Sequence, residues 1–307
     1  MAVLIENLQA EIRRYLIAAM PPDPTGRLAD MDLGGLLTTY GGWRNRFVPA
    51  QPRTVHVSRE LLASDLSSVY GGPLAAIRSK LVAGEDITSH LSTRIRHAFE
   101  PGNEPTTIHR RADRDLLLSD WGIHHLHLST DPHPEAPGFN ARTKHVLFVA
   151  FRGANAYLIG IYPHPKDNGN WAERAIVETV VRNWPQAGIV HCADYAVGLA
   201  EPEPSDEDRL KLRNAGVNTP FEIDGSVYLP LGQMLDGTSI VVARHVMEVR
   251  AVLDHYRSNE DELEYRLASC EASHNLTGDS AWRAVVEREQ YGFTKANVLY
   301  CLGNLVG

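Results

Sequence analysis

Apolar residues recur at Val3, Leu4, Leu8, Ile12, Leu16 and Ile17, the spacing of one helical face, so an amphipathic helix is predicted over residues 1–20, stopped by Pro21-Pro22-Asp23-Pro24. The stretch after it, with Gly34-Gly35 and Gly41-Gly42, reads as loops and short elements leading to a strand at Arg53–Ser58. Helical spacing returns over Leu74–Leu81 and breaks at Gly84, and Asp86 or Thr88 is placed to cap a second helix running to about Phe99.

From Ile123 the period changes to two. Residues 123–129, 144–152 and 156–162 read as three strands of a meander, with Gly153-Ala154-Asn155 as the tight turn between the second and third. A helix is predicted from Trp171 to Trp184, ended by Pro185, and a strand over Ile189–Leu199. The run from Glu201 to Asp208 holds five carboxylates and two prolines, which reads as an exposed boundary. It divides the chain into an α+β domain over 1–200 and a lobe over 209–307. In that lobe Asp224-Gly225 marks a hairpin at 221–229, a long helix covers Val241–Arg257, and a last helical stretch spans Ala281–Leu305. The expected class is α+β: an antiparallel meander packed on N-terminal helices, with a mostly helical C-terminal lobe.

A length of 307 residues exceeds one ordinary core and agrees with two domains. Hydrophobic residues at 43% and charged residues at 22% are the balance of a folded globular chain. A net charge of −8 rules out a global field that draws the protein to nucleic acid or an anionic membrane, so any polyanion contact has to be local. Cys192, Cys270 and Cys301 form no CxxC pair and read as buried thiols in a reducing compartment. Glu6 and Glu11 interrupt the N-terminal apolar positions, against a signal peptide, and no later stretch approaches the roughly eighteen apolar residues of a membrane span, so a cytoplasmic location is expected.

The chemistry concentrates in Asp120-Trp121-Gly122-Ile123-His124-His125-Leu126-His127-Leu128-Ser129. On a strand, Ile123, His125, His127 and Ser129 share one face while Leu126 and Leu128 turn to the core, which leaves the two histidines about 6 to 7 Å apart on a face open to a site. By the same alternation Tyr162 and His164 share a face at the end of the third strand. Arg94, Arg96, His97, His109, Arg110, Arg111 and Arg114 precede the histidine strand, and Arg142 and Lys144 open the next. Paired imidazoles and cations suit phosphodiester cleavage without a metal: one ring takes a hydroxyl proton, another protonates the leaving oxygen, and a cation stabilises the added charge. In this reading His125 and His127 are the acid/base pair, His164 assists, Tyr162 orients, Arg111, Arg114, Arg142 and Lys144 hold phosphate, and the substrate is RNA or a nucleotide.

Two helices followed by an antiparallel meander with a late histidine, over about residues 74–165, resemble the RelE/HigB/ParE group of small toxins, whose barnase-like relatives cleave RNA without a metal. The resemblance implies a metal-independent endoribonuclease of toxin or defence type, with His164 in the late acid/base place and Arg142, Lys144 or Arg152 in the phosphate places.

Other readings compete. His-x-His on a strand presents two imidazoles to one ion, and Asp120 with His125 and His127, or with His164, would make a zinc or manganese site of a hydrolase. His56-Val57-Ser58 with His127-Leu128-Ser129 imitates the paired His-x-Ser strands of two-histidine phosphoesterases, although His90-Leu91-Ser92 inside a predicted helix has the same form. A third reading is non-enzymatic, with structural histidines and a C-terminal lobe that binds a protein partner or makes a dimer contact.

Overall fold

The computed structural model describes residues 2–98, 115–164, 172–196, 198–199, 202–215, 217–234, 236–277 and 280–307. In chain order the helices and strands begin α1 (Ala2–Ala19), α2 (Arg27–Asp30), α3 (Leu33–Arg44), β1 (Thr54–Val57), α4 (Arg59–Ala63), α5 (Asp65–Val69) and α6 (Gly71–Ala83). They continue with α7 (Leu116–Trp121), β2 (Ile123–His127), β3 (His145–Arg152), β4 (Asn155–Pro163), α8 (Arg174–Asn183), β5 (His191–Cys192) and α9 (Asp206–Asn214). The last are β6 (Phe221–Ile223), β7 (Ser226–Leu229), α10 (Ile240–Ser258), α11 (Glu260–Ser273), β8 (Arg283–Glu287), β9 (Gln290–Lys295) and β10 (Val298–Asn304). The class is α+β. Among the described residues no helix is long and apolar enough to cross a membrane.

The chain forms two compact units, and the division is not the one expected at 201–208. Met1–Arg44, His97–Pro101 and Val241–Gly307 make one, while Asn45–Arg96 and Gly102–Ile240 make the other. The acidic run is no free linker, because the Glu203 carboxylate is ion-paired to Arg174 and to the buried Arg209. Its charge neutralises guanidiniums inside the second unit.

In the first unit Ile5, Leu8, Ile12 and Leu16 of α1 pack with Val246, Val249 and Leu253 of α10, Leu263 and Leu267 of α11, and Tyr291 and Phe293 of β9. The N-terminal helices therefore belong to a core with the C-terminal elements and not to the meander. The glycine-rich segment expected as loops is the helix α3: a Cβ on Gly41 would stand 2.9 Å from Val242 Cγ1, so here glycine permits close approach to α10. Residues 283–304, expected as helix, are the antiparallel strands β8, β9 and β10. Their turns are built on left-handed Arg288 and Glu289 (φ 48 and 69) and Ala296 and Asn297 (φ 48 and 66), residues that advertise no hairpin.

The second unit is organised on a four-stranded sheet of order β1-β4-β3-β2, in which β2, β3 and β4 form the predicted meander and β1 joins β4 in parallel. Five consecutive residues of β3, Val146 to Ala150, are buried, as expected of a strand covered on both faces. Leu126, Leu147, Val149 and Leu158 face Leu61 of α4 and Ile77 and Leu81 of α6. Ile123, Val146, Phe148 and Ile159 face Leu117 and Trp121 of α7, Ile176, Val177 and Val180 of α8, and Phe221 and Tyr228 of the small β5-β7-β6 sheet. The Asp224-Gly225 turn of that sheet has φ 50 and 80, as its sequence predicted. The helix expected after Asp86 is reduced to short 3-10 turns at Thr88–His90 and Thr93–Arg96.

Candidate functional site

Strand parity places His125 and His127 on one face of β2, opposite Phe148 and Val146 of β3. That face is not open: Ile123, Val146 and Phe148 make it a second apolar core, and the histidines occupy its end. There β4 also ends, and His164 lies one residue beyond it, its amide donating to the Lys144 carbonyl at 2.7 Å. Three imidazoles meet at this corner. Ring centres are 6.3 Å apart for His125 and His127, 5.9 Å for His125 and His164, and 5.3 Å for His127 and His164, whose planes are within 14° of parallel.

The three rings have different surroundings. His125 Nδ1 stands 3.0 Å from Asp115 Oδ2. Asp115 caps α7 through its other oxygen, which accepts from the Leu118 amide at 3.0 Å, so one carboxylate fixes both the helix start and the imidazole. Burial alone would raise the Asp115 pKa, but the His125 ring and the Leu118 amide outweigh it and hold the carboxyl below its ordinary value. His125 held at Nδ1 by a carboxylate presents Nε2 as a proton acceptor, the arrangement that orients a general base.

His127 is 2% exposed, and its Nδ1 is buried without a hydrogen-bond partner among the described residues. Burial, followed by the charges of His125, His164, Arg142 and His90, pushes its pKa down to about 3. It is a neutral ring at physiological pH and cannot serve as the acid. Its backbone is anchored from below: His90 Nδ1 lies 2.9 Å from the His127 carbonyl oxygen, and Asn140 donates to the Ser129 carbonyl at 2.8 Å beside the His90 ring.

The remaining predicted site residues separate. Tyr162 stacks on Phe148 at 4.5 Å and bonds the Thr179 hydroxyl on α8, and burial pushes its pKa up to about 12. A Cβ on Gly160 would stand 2.7 Å from the Tyr162 ring, so glycine makes the room in which that ring packs against the core. Asp120 is fully buried and ion-paired to Arg213, which lies over the Trp121 ring, so it does not join His125 and His127 as a third ligand. Among the described residues no group of three or more His, Cys, Asp or Glu is arranged to hold a metal ion. Arg142 is exposed and is the cation whose charge reaches His127, Lys144 is exposed, and Arg111 and Arg114 lie outside the described residues. The Arg152 guanidinium is spent on the carbonyls of Phe151, Gly188 and Trp121.

The paired His-x-Ser pattern does not form a site. His56 and His127 lie on β1 and β2, the two opposite edges of the sheet, and His56 stacks on Tyr157 at 4.7 Å. Ser58 caps α4 and donates to the Ile159 carbonyl, and Ser129 accepts from the Asp131 amide. The cysteines are free, with Cys192 and Cys301 exposed and not buried as expected. Sequence reasoning missed Asp115, His90 and Asn140. Asp115 carries the signal of an N-cap three residues before Leu118, but its second role depends on where α7 sends β2. Comparison with protein-family models, curated proteins and solved structures finds no match for this chain.

Proposed function

We propose that the corner formed by Asp115, His125, His127 and His164 cleaves phosphodiesters by metal-independent acid/base catalysis, with single-stranded RNA as the substrate class. The observation that carries the reading is the convergence of three imidazoles within 6.3 Å with a carboxylate on the outer nitrogen of one of them. The roles differ from those expected of the strand alone. His125, oriented by Asp115, takes the proton of the 2′-hydroxyl as it attacks phosphorus, and His164 donates a proton to the leaving 5′-oxygen. His127 is the neutral wall between them, and Arg142 lies at the rim to meet the phosphate charge. The late histidine fills the place that resemblance to the RelE/HigB/ParE toxins implies.

Cleavage of single-stranded RNA by the full chain, with and without EDTA, tests the reading. His125→Ala and His164→Ala are each expected to lower the rate at least about a hundredfold, and Asp115→Asn to lower it less, with EDTA neutral. Full activity in both histidine variants would overturn it, and loss of activity in EDTA would transfer the site to the zinc or manganese reading.

A further inference from the structure

The first unit carries a second, chemically distinct cleft of about 380 Å³, lined by Tyr15, Tyr40, Trp43, Arg44, Arg288 and Glu289. Its wall is aromatic: the Tyr40 ring stands 6.3 Å from Tyr15 at 71° and 5.9 Å from Trp43 at 52°. Tyr15 and Trp43 remain half-buried, while Tyr40 is buried. The mouth is formed by the β8–β9 turn, where Arg288 and Glu289 both adopt positive φ. That conformation costs a bulky residue about 1–2 kcal/mol, and Asn-Gly is the ordinary occupant of such a turn.

Half of this strained pair is accounted for by the fold. The Glu289 carboxylate accepts from the Tyr40 hydroxyl at 2.6 Å and pairs with Arg44 Nε at 2.8 Å, and its carbonyl accepts from the Leu305 amide at 2.7 Å. Burial and the adjacent carboxylate push the Tyr40 pKa up, so its hydroxyl stays a donor. Arg288 is not accounted for: it is exposed at the cleft and makes no ion pair among the described residues. With Glu289 committed to Arg44 and Tyr40, the cleft keeps one uncompensated positive charge beside a bank of aromatic rings.

We propose that this cleft binds a planar aromatic anion, its ring against Trp43 and Tyr15 and its phosphate or carboxylate on Arg288. Aromatic walls supply stacking area, a guanidinium supplies a fork of donors for an oxyanion, and the volume lies at the small-molecule end of the usual range. The site is independent of the histidine corner and does not rest on the function proposed for it.

Calorimetric titration of the full chain with adenosine 5′-monophosphate, benzoate and inorganic phosphate tests the proposal. At least one aromatic probe is expected to bind, and inorganic phosphate at least about tenfold more weakly. Arg288→Asn is the informative variant, because asparagine tolerates the left-handed turn: it is expected to weaken the aromatic probe about tenfold or more while leaving Tm equal or higher. Trp43→Leu is expected to weaken the same probe, and Arg142→Ala, at the other site, to leave it unchanged. The proposal is overturned if neither aromatic probe binds below about 10 mM, if phosphate alone binds as well, or if Arg288→Asn has no effect while Arg142→Ala does.

Discussion

Acidification should unfold the second unit through His127, and the size of the effect follows from its surroundings. The ring is almost wholly buried, and its pKa falls from 6.5 to about 3 on folding. The unfolded chain therefore binds the proton more readily than the folded one, so stability is unaffected above pH 6.5 and falls as pH drops toward the folded value. Each unit in that window removes about 1.4 kcal/mol, and integration from pH 7 to pH 4 gives a loss of about 3 kcal/mol from this group. Burial also lowers the pKa of His90 and of His124, which add to the acid lability of the whole protein. Comparison with His127→Gln isolates the single ring, since the others are present in both chains. Urea unfolding followed by far-ultraviolet circular dichroism at pH 7 and pH 4 gives the four stabilities. The wild type should lose about 3 kcal/mol more than the variant on acidification. An excess below about 1 kcal/mol would refute the reasoning, because it would mean that His127 takes up its proton inside the folded chain.

Other expectations follow from groups around the same sheet. Asp120→Ala leaves the buried Arg213 without its counterion and should destabilise by about 3–5 kcal/mol in urea unfolding, whereas the double replacement Asp120→Leu with Arg213→Met should recover most of that loss. Ser58→Ala removes both the cap of α4 and the donor to the Ile159 carbonyl, and should cost about 2 kcal/mol in the same assay.

How far the chain could be read before folding depends on the range of the forces involved. Local patterns were legible: the spacing of Leu8, Ile12 and Leu16 marks α1, the run from Val146 to Ala150 with Gly153 beyond it marks β3 and its turn, and Asp224-Gly225 marks the small hairpin. His125 and His127 on one strand face at 6.3 Å also follow from a period of two. Where local signals mislead, a tertiary contact supplies the reason. Paired glycines suggested a loop at α3, but Gly41 serves helix packing, and turns made from Arg288 and Glu289 concealed the β8–β9 hairpin.

The partners of the histidines were decided by the tertiary structure. Sheet order carries β4 and then His164 to the end of β2, and α7 turns its capping Asp115 toward His125. The same sheet buries His127 against apolar side chains, which removes it from acid chemistry, and draws Asp120 away to Arg213. Alternation along a strand specifies only which side chains share a face. Whether that face meets water, a carboxylate or a core depends on segments distant in sequence, and the dielectric and charge they bring fix the protonation of each ring.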